Sequence, residues 1–326
     1  MKSIGIDVSK EKLDVAMYDG ECRWHEIYEN NSIGIKKLCK RLRGEGDRVT
    51  MEATGTYYIR TAEMLQDAGY DVRVENPLSI KRYAEMKMRR NKTDKVDALL
   101  IAQYGYYEDG REFRKEDVKR RIIRLKLRAV DQLHSDVNKN ISRMEALNQY
   151  PEGAEEIKAV FIKMNHILEK QIEKLVKEIS EIINADIAYK ELSDRLQEIP
   201  GIGPRISSML IAFFGTFEEF ETAKQVSSFI GIAPTVRESG ISVRGNGRIS
   251  KMGNGYIRKM LTMGAKTAVK CNKSCKELDE RLVAKNKPYR LRLVAGGHKL
   301  LRQAFAVAKY GVKYNPDYYN TIMQTS

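Results

Sequence analysis

The chain of 326 residues holds only four cysteines, four histidines, seven prolines and one tryptophan. Cys22, Cys39, Cys271 and Cys275 contain no CxxC pair, and no histidine stands beside the close pair Cys271 and Cys275. That argues against a zinc site and a disulfide scaffold, and it fits a reducing cytoplasm. His25, His134, His166 and His298 lack metal-ligand spacing and are given no role. No run approaches the roughly 18 consecutive apolar residues that span a bilayer, so no membrane partner is expected. The opening Met1-Lys2-Ser3-Ile4-Gly5-Ile6-Asp7 puts an acid where a secretory leader would be apolar, so export is not expected. No GxxxxGK[ST] phosphate loop is present, which speaks against ATP-driven chemistry. With 31% charged and 42% hydrophobic residues, the composition is that of a soluble globular chain, long enough for two domains.

Negative charge is scarce in one region. The whole chain carries +14, and between Arg237 and Arg302 only 4 acids face 17 lysines and arginines, a net of +13. Nearly all the excess lies in one fifth of the chain. A polyanion is the simplest partner for such a stretch, and nucleic acid is the expected one.

Periodicity divides the chain. Ile4, Ile6 and Val8, then Leu13, Val15 and Met17, alternate as two strands, with Asp19-Gly20 as a hairpin turn before a third strand at Trp24 to Tyr28. Asn31 or Ser32 caps a helix through Ile35, Leu38 and Leu42. Arg48 to Glu52 reads as a strand, Thr56 to Ala68 as a helix stopped by Gly69, and Tyr70, Val72 and Val74 as a fifth strand. A basic segment follows, with Lys81, Arg82, Lys87, Arg89, Arg90 and Lys92, and Thr93 then caps another helix. Three hairpin-linked strands followed by strand–helix alternation predict an α/β domain with a mixed sheet. From about 115 to 186 apolar residues recur every three or four positions. Val118, Ile122, Leu125, Val137 and Ile141 mark one seam, and Ile157, Val160, Met164, Leu168, Ile172 and Ile179 the other. Two long helices in a coiled-coil hairpin, or an oligomer interface, are expected there. Beyond 190 short helices alternate with Gly/Pro turns. Pro200-Gly201-Ile202-Gly203-Pro204 is either an ordinary tight turn or a presentation of backbone N–H groups to a phosphate. The expected domains are 1–112, 113–188 and 189–326.

Four acids fall where chemistry needs them. Asp7 lies late in the first strand and Glu52 ends the fourth, while Asp94 and Asp97 stand three apart on one helix. If the first and fourth strands are neighbours and the helix crosses their ends, four carboxylates converge. Their mutual repulsion calls for cations, and a pair of Mg²⁺ ions suits oxygen donors. Two metals about 4 Å apart clamp a phosphate, activating the attacking oxygen and stabilising the leaving one. Any single acid of the four is equally explained by the helix dipole or a strand end. Asp14, Asp19 and Asp71 are read as surface or turn residues.

The segments GIDVSKEKLDVAMYD, MEATGTYY and NKTDKVDALLIA resemble the DEDD domain of the insertion sequence 110 family of transposases, relatives of the Piv DNA invertase. IPGIGPRIS, FIGIAP, ESG and GRISKMGNGYIRKMLTMGA resemble the C-terminal domain of the same family, in the same order. The resemblance covers most of the chain. It implies an RNase H-like, RuvC-type fold for the first domain and metal binding by Asp7, Glu52, Asp94 and Asp97. It implies a serine nucleophile before a glycine, here Ser239, although Glu238 stands where family members often carry another Ser or Thr. It further implies guidance by a structured non-coding RNA that pairs with donor and target DNA. A homo-oligomer, dimer or tetramer, with active sites shared between protomers is implied as well, in a prokaryotic, nucleoid-associated setting.

From the residues alone, Ser239 is one polar loop serine among rivals Ser242 and Ser250, the last a candidate cap for the helix through Tyr256. A serine hydroxyl needs its proton removed or its target polarised, and Arg237, Arg244, Arg248 and Lys251 lie close in sequence. Those residues, with Arg258, Lys259 and the basic segment from Lys81 to Lys92, are the expected nucleic-acid contacts, which give salt-dependent affinity without sequence information. Tyr57 and Tyr58 suit either base stacking or a helix face. The expected function is a transposase that cuts and rejoins DNA through a covalent serine–DNA link. The alternatives are a metal-dependent endonuclease or junction resolvase using water, a non-catalytic nucleic-acid-binding protein, and an actin-like phosphotransferase. The last wants glycine-rich phosphate loops that residues 1–110 do not offer.

Overall fold

A computed structural model describes the whole chain except residues 1, 43–47, 89–92, 111, 151, 236–237, 240–242, 245–247, 251 and 318–326. It divides into two compact units, Met1–Lys115 and Glu116–Ser326.

In the first unit, β1 (Ser3–Val8), β2 (Lys12–Tyr18) and β3 (Cys22–Glu29) form an antiparallel meander. Gly20, at φ 118°, allows the turn between β2 and β3. α1 (Ser32–Arg41) follows, capped by Asn31, whose side chain accepts from Ile33 N and Gly34 N. Then come β4 (Arg48–Glu52), α2 (Tyr58–Asp67), β5 (Val72–Glu75), α3 (Pro77–Met86) and α4 (Asp94–Tyr107). The sheet order is β3-β2-β1-β4-β5, with β1–β4 and β4–β5 parallel, so the mixed five-stranded sheet and the neighbouring first and fourth strands are both present.

The sheet is covered on both faces. Ile4, Ile6, Leu13, Val15, Val49 and Met51 pack with Leu38 of α1 and Leu65 of α2. The opposite face of β1, β2 and β4 carries α4. Gly5 sets that approach, because a Cβ there would stand 2.2 Å from Ala98 O and Ala102 N of α4. α3 overlaps the start of the basic segment, where no helix was expected. Asn76 caps it, Pro77 opens it, and Ile80 and Tyr83 pack on Leu100 and Ile101.

The second unit starts with two long helices, α5 (Val118–Leu147) and α6 (Ala154–Asn184). They run antiparallel: Lys126 pairs with Glu178, and further along Asn140 Nδ2 donates to Asn165 Oδ1 across 2.9 Å, both residues buried. Val130, Val137 and Ile172 fill the seam, with Leu133, Leu168 and Leu175 beside them. The seam departs from the expected one on both helices, with Ile157, Val160 and Met164 of α6 and Ile141 of α5 exposed. Val118, Ile122 and Leu125 are exposed, and Ile123 and Leu127 are buried instead, packed into the core of the following helices.

Those helices are α7 (Ile187–Gln197), α8 (Pro204–Phe214) and α9 (Ala223–Phe229). Short strands β6 (Pro234–Thr235), β7 (Glu238–Ser239), β8 (Val243–Arg244) and β9 (Arg248–Ile249) pair as β6–β9 and β7–β8, so that Ser239, expected in a loop, lies in a short strand. α10 (Gly255–Cys271), α11 (Lys273–Ala284) and α12 (Tyr289–Tyr310) complete the unit. Asn254, not Ser250, caps α10, its Oδ1 accepting from Tyr256 N and Ile257 N. Met209, Leu210, Phe217, Leu261, Leu300 and Leu301 centre the core.

Candidate active site

The first unit gathers the four acids by register. Antiparallel pairing sets Asp7 directly opposite Asp14, and opposed residues share a face. The parallel pairing ends at Ile6↔Met51, so Glu52 is the residue of β4 one step on, level with Asp7. Side chains alternate along a strand, so Asp7 lies on the Gly5 face and Glu52 on the Thr50 face. Both faces meet α4: Gly5 faces Ala98 and Ala102, and Thr50 lies against Gly105. Thr93 caps α4, its hydroxyl accepting from Val96 N at 3.3 Å, so the helix starts at Asp94 with Asp97 one turn on.

The electrostatics follow from that placement. Burial pushes the Asp7 carboxyl up to about 6, and the charges of Asp97, Asp94, Glu52 and Asp14 push in the same direction. Thr54 Oγ1 donates to Glu52 Oε1 at 3.3 Å. Among the described residues no three acid, histidine or cysteine side chains stand ready to hold one metal ion. Asp94 is held instead by a protein cation: Lys12 Nζ lies 2.5 Å from Asp94 Oδ2 and 3.3 Å from Asp14 Oδ2. Those hydrogen bonds, the one to Asp94 foremost, raise the Lys12 pKa. An all-carboxylate set that crowds Asp7 with like charge is nevertheless the donor chemistry that suits a hard divalent cation.

Sequence reasoning missed Asp14, Lys12 and His25 as members of this cluster. Asp14, read as a surface residue, is 3% exposed, and its Oδ1 lies 3.1 Å from His25 Nε2. The covering of the sheet by α4 is the reason: an outward-facing position of β2 is still an interior one. Tyr57 stays exposed beside α2, while Tyr58 packs against the core.

The remaining expected residues are placed one by one. Lys81 and Arg82 lie on α3, and Lys87 caps it with its ammonium 5.4 Å from the Tyr83 ring and 5.3 Å from the Tyr107 ring. Arg89, Arg90, Lys92, Arg237, Ser242 and Lys251 lie outside the described residues. Ser239 stands in β7 opposite Val243, and Arg244 and Arg248 belong to β8 and β9. Arg258 Nη1 donates to the Ile230 carbonyl at 2.6 Å, and Lys259 Nζ pairs with Asp131 at 2.9 Å.

Comparison with known proteins joins these observations. Residues 4–150 match the family model of the DEDD transposases of the IS110 group, and residues 193–280 match the Transposase IS116/IS110/IS902 family. The chain is 28% identical over 315 residues to the pilin gene-inverting protein of Moraxella bovis, covering 94% of this chain and 95% of that one. The pilin gene-inverting protein of Moraxella lacunata is 27% identical over 314 residues, with the same shares covered. The transposase for insertion sequence element IS1111A of Coxiella burnetii is 24% identical over 296 residues, 83% of this chain and 78% of the relative. The DEDD model carries an implication of divalent-metal dependence for the acid cluster. Matched by models of one group in both its acidic and its basic parts, the chain belongs to the IS110 family of transposases, enzymes that recombine DNA.

Proposed function

We propose that the protein cuts and rejoins DNA through a covalent link between Ser239 and a DNA phosphate, with the first unit as an RNase H-like, RuvC-type metal-binding domain. The observation that supports the metal part is the crowding at Asp7, whose carboxyl is pushed up to about 6 by burial first and then by the charges of Asp97, Asp94, Glu52 and Asp14. Asp7, Glu52, Asp94 and Asp97 would hold the divalent metals, two Mg²⁺ in this reading. When bound, the metals neutralise the cluster and polarise a phosphodiester. Lys12 holds Asp94 and Asp14 in the meantime, and His25 fixes Asp14 from the other side.

Ser239 Oγ attacks phosphorus and loses its proton as a P–O bond to a deoxyribose oxygen breaks. The new serine phosphoester keeps the bond energy, so rejoining needs no ATP. Arg237, Arg244, Arg248, Lys251, Arg258 and Lys259 supply positive charge in the same unit. Lys81, Arg82, Lys87, Arg89, Arg90 and Lys92 do so in the first. A structured non-coding RNA that pairs with donor and target DNA selects the site, since phosphate contacts carry no sequence information. Residues 1–112 then form the metal domain, 113–188 a coiled-coil arm of a homo-oligomer, and 189–326 the serine domain, all acting at the nucleoid.

Recombination of donor and target plasmids, with the flanking non-coding RNA present, tests this reading. The parent recombines and leaves a protein–DNA adduct on a suicide substrate. Ser239→Ala loses the adduct while still binding DNA, and Asp7→Asn loses both recombination and adduct. Strand cleavage with no adduct in the parent would assign the chemistry to water, as in a junction resolvase. Full activity in Asp7→Asn would end the metal reading.

A further inference from the structure

Within the second unit, α5, α8 and α10 enclose a groove of about 720 Å³. Nine of its ten described lining residues carry polar side chains, Met263 being the exception, and the stems of the long cations add apolar surface between the polar groups. Asp131 of α5 stands at one end with both carboxylate oxygens engaged. Oδ1 accepts from Arg205 Nη2 of α8 at 2.8 Å, and Oδ2 from Lys259 Nζ of α10 at 2.9 Å. Asp131 is also the sole acid among the described lining residues, so the groove keeps an excess of positive charge.

From that end α5 presents Ser135, then Asn138 and Lys139, then Ser142 and Arg143 along one stripe, each group about a turn beyond the last. The stretch from Ser135 to Ser142 covers about 10 Å of helix. Lys139 Nζ is paired only three residues away, with Asp136 at 2.9 Å, and both side chains are more than half exposed. Such a pair is weak and readily exchanged. Arg143 is better held. Its Nη1 donates to Asn140 Oδ1 at 2.9 Å, and its guanidinium carbon lies 5.8 Å from the centre of the Phe161 ring.

Hydroxyls, an amide and cations in a line are donors for an extended anion with acceptor oxygens at intervals. A single small anion has no use for the length, and a metal ion none for the cations. We propose that this groove holds the phosphodiester backbone of a nucleic-acid strand, gripped through its phosphates by Lys139, Arg143 and the α5 hydroxyls, with Arg205 and Lys259 at its closed end. The site is separate from the acid cluster and needs no metal. It extends the DNA-handling surface to residues of α5 that the sequence assigned to structure alone.

Fluorescence anisotropy tests it on the full chain in EDTA, where the metal and serine chemistry plays no part. Three probes of one arbitrary sequence are used: duplex DNA, single-stranded DNA and single-stranded RNA. Lys139→Glu/Ser142→Glu changes two exposed groove residues, and Lys170→Glu/Gln171→Glu makes the same charge change on exposed positions of α6 outside the groove. The groove variant is expected to bind at least about tenfold more weakly at moderate salt and to reduce the slope of log affinity against log salt by about 1. The α6 variant is expected to stay within about twofold of the parent. The probe with the largest loss identifies the strand type the groove takes. Unchanged affinity and slope on all three probes would overturn the proposal. Equal loss in both variants would also overturn it, since that is overall charge rather than a groove. Circular dichroism of both variants confirms that the helices are intact.

Discussion

The acid cluster under α4 and the basic groove beside α5 treat charge in opposite ways. In the first, Asp7 feels four other carboxylates, and one lysine, Lys12, is set among them, bonded to two. In the second, several cations surround a single aspartate, Asp131, which bonds two of them and ties three helices together. The first arrangement gathers repulsion at a half-buried strand end, where it is screened less than on the open surface. The second lies open to solvent, where its excess charge costs little until a polyanion arrives. A half-buried set of like charges works against the fold unless a ligand offsets it. A solvated set is held at almost no cost, and the two should respond differently to mutation, pH and salt.

The largest effect should come from Asp7→Asn. Recombination is expected to fall by at least about a thousandfold, because the proposed metal site would lose its central carboxylate. Metal-free thermal stability should rise at the same time, since the most strongly opposed charge is removed. Plasmid recombination beside a melting curve in EDTA checks both signs. A fall in melting temperature would show that Asp7 is held by favourable partners and would erase the distinction drawn above.

Gly5→Ala comes next. Its new Cβ would meet backbone atoms of Ala98 and Ala102 at 2.2 Å, and backbone cannot swing aside as a side-chain end does. A loss of about 3 kcal/mol or more in unfolding free energy is expected from such overpacking, with activity falling further than stability as Asp94 and Asp97 move off the strand end. Denaturant unfolding and activity at a permissive temperature separate the two. An equivalent change in the groove, Ser142→Ala, should leave stability unchanged.

A pH series sharpens the comparison. The Asp7 carboxyl is raised in the folded state from its ordinary 3.8 to about 6, so between those values the folded protein holds more of this proton than the unfolded chain. Metal-free stability should therefore fall as pH rises from about 4 to about 6, and stay lower above that. After allowance for the partial exposure of the group, the drop is on the order of 1 kcal/mol. Asp7→Asn should remove this component, seen as the difference between the two stability–pH curves.

The smallest change should come from Lys12→Met. Its ammonium competes with any incoming cation for Asp94 and Asp14. Removing it is expected to lower the Mg²⁺ concentration that half-stabilises the protein by about two- to threefold, as read by thermal shift. A higher Mg²⁺ requirement would instead make Lys12 a residue that orients Asp94 for the metal.

Much of the first unit was legible because its signals are local. Alternating apolar residues mark β1 and β2, Asn31 and Thr93 announce helices, and the acids at element ends stand out once β1 and β4 are taken as neighbours. What was missed depends on what covers what. Asp14 lies between Leu13 and Val15, and such alternation reads as one wet face, whereas α4 dries that face too. α3 was hidden because its buried positions, Ile80 and Tyr83, are embedded among lysine and arginine. On α5, Ile122 and Ile123 are adjacent, so periodicity accepts either as the buried one, and packing against the later helices decides for Ile123. Ser239 carried no physical signal beyond arginines nearby in sequence, and only the family likeness singled it out.

The amide pair Asn140–Asn165 has an effect on the long hairpin beyond its single hydrogen bond. Sliding one helix past the other by a turn would part the Asn140 amide N–H from the Asn165 oxygen inside an apolar seam, so the two rods favour one alignment. The hairpin thereby keeps a set reach from its base to its tip, a yardstick rather than a tether.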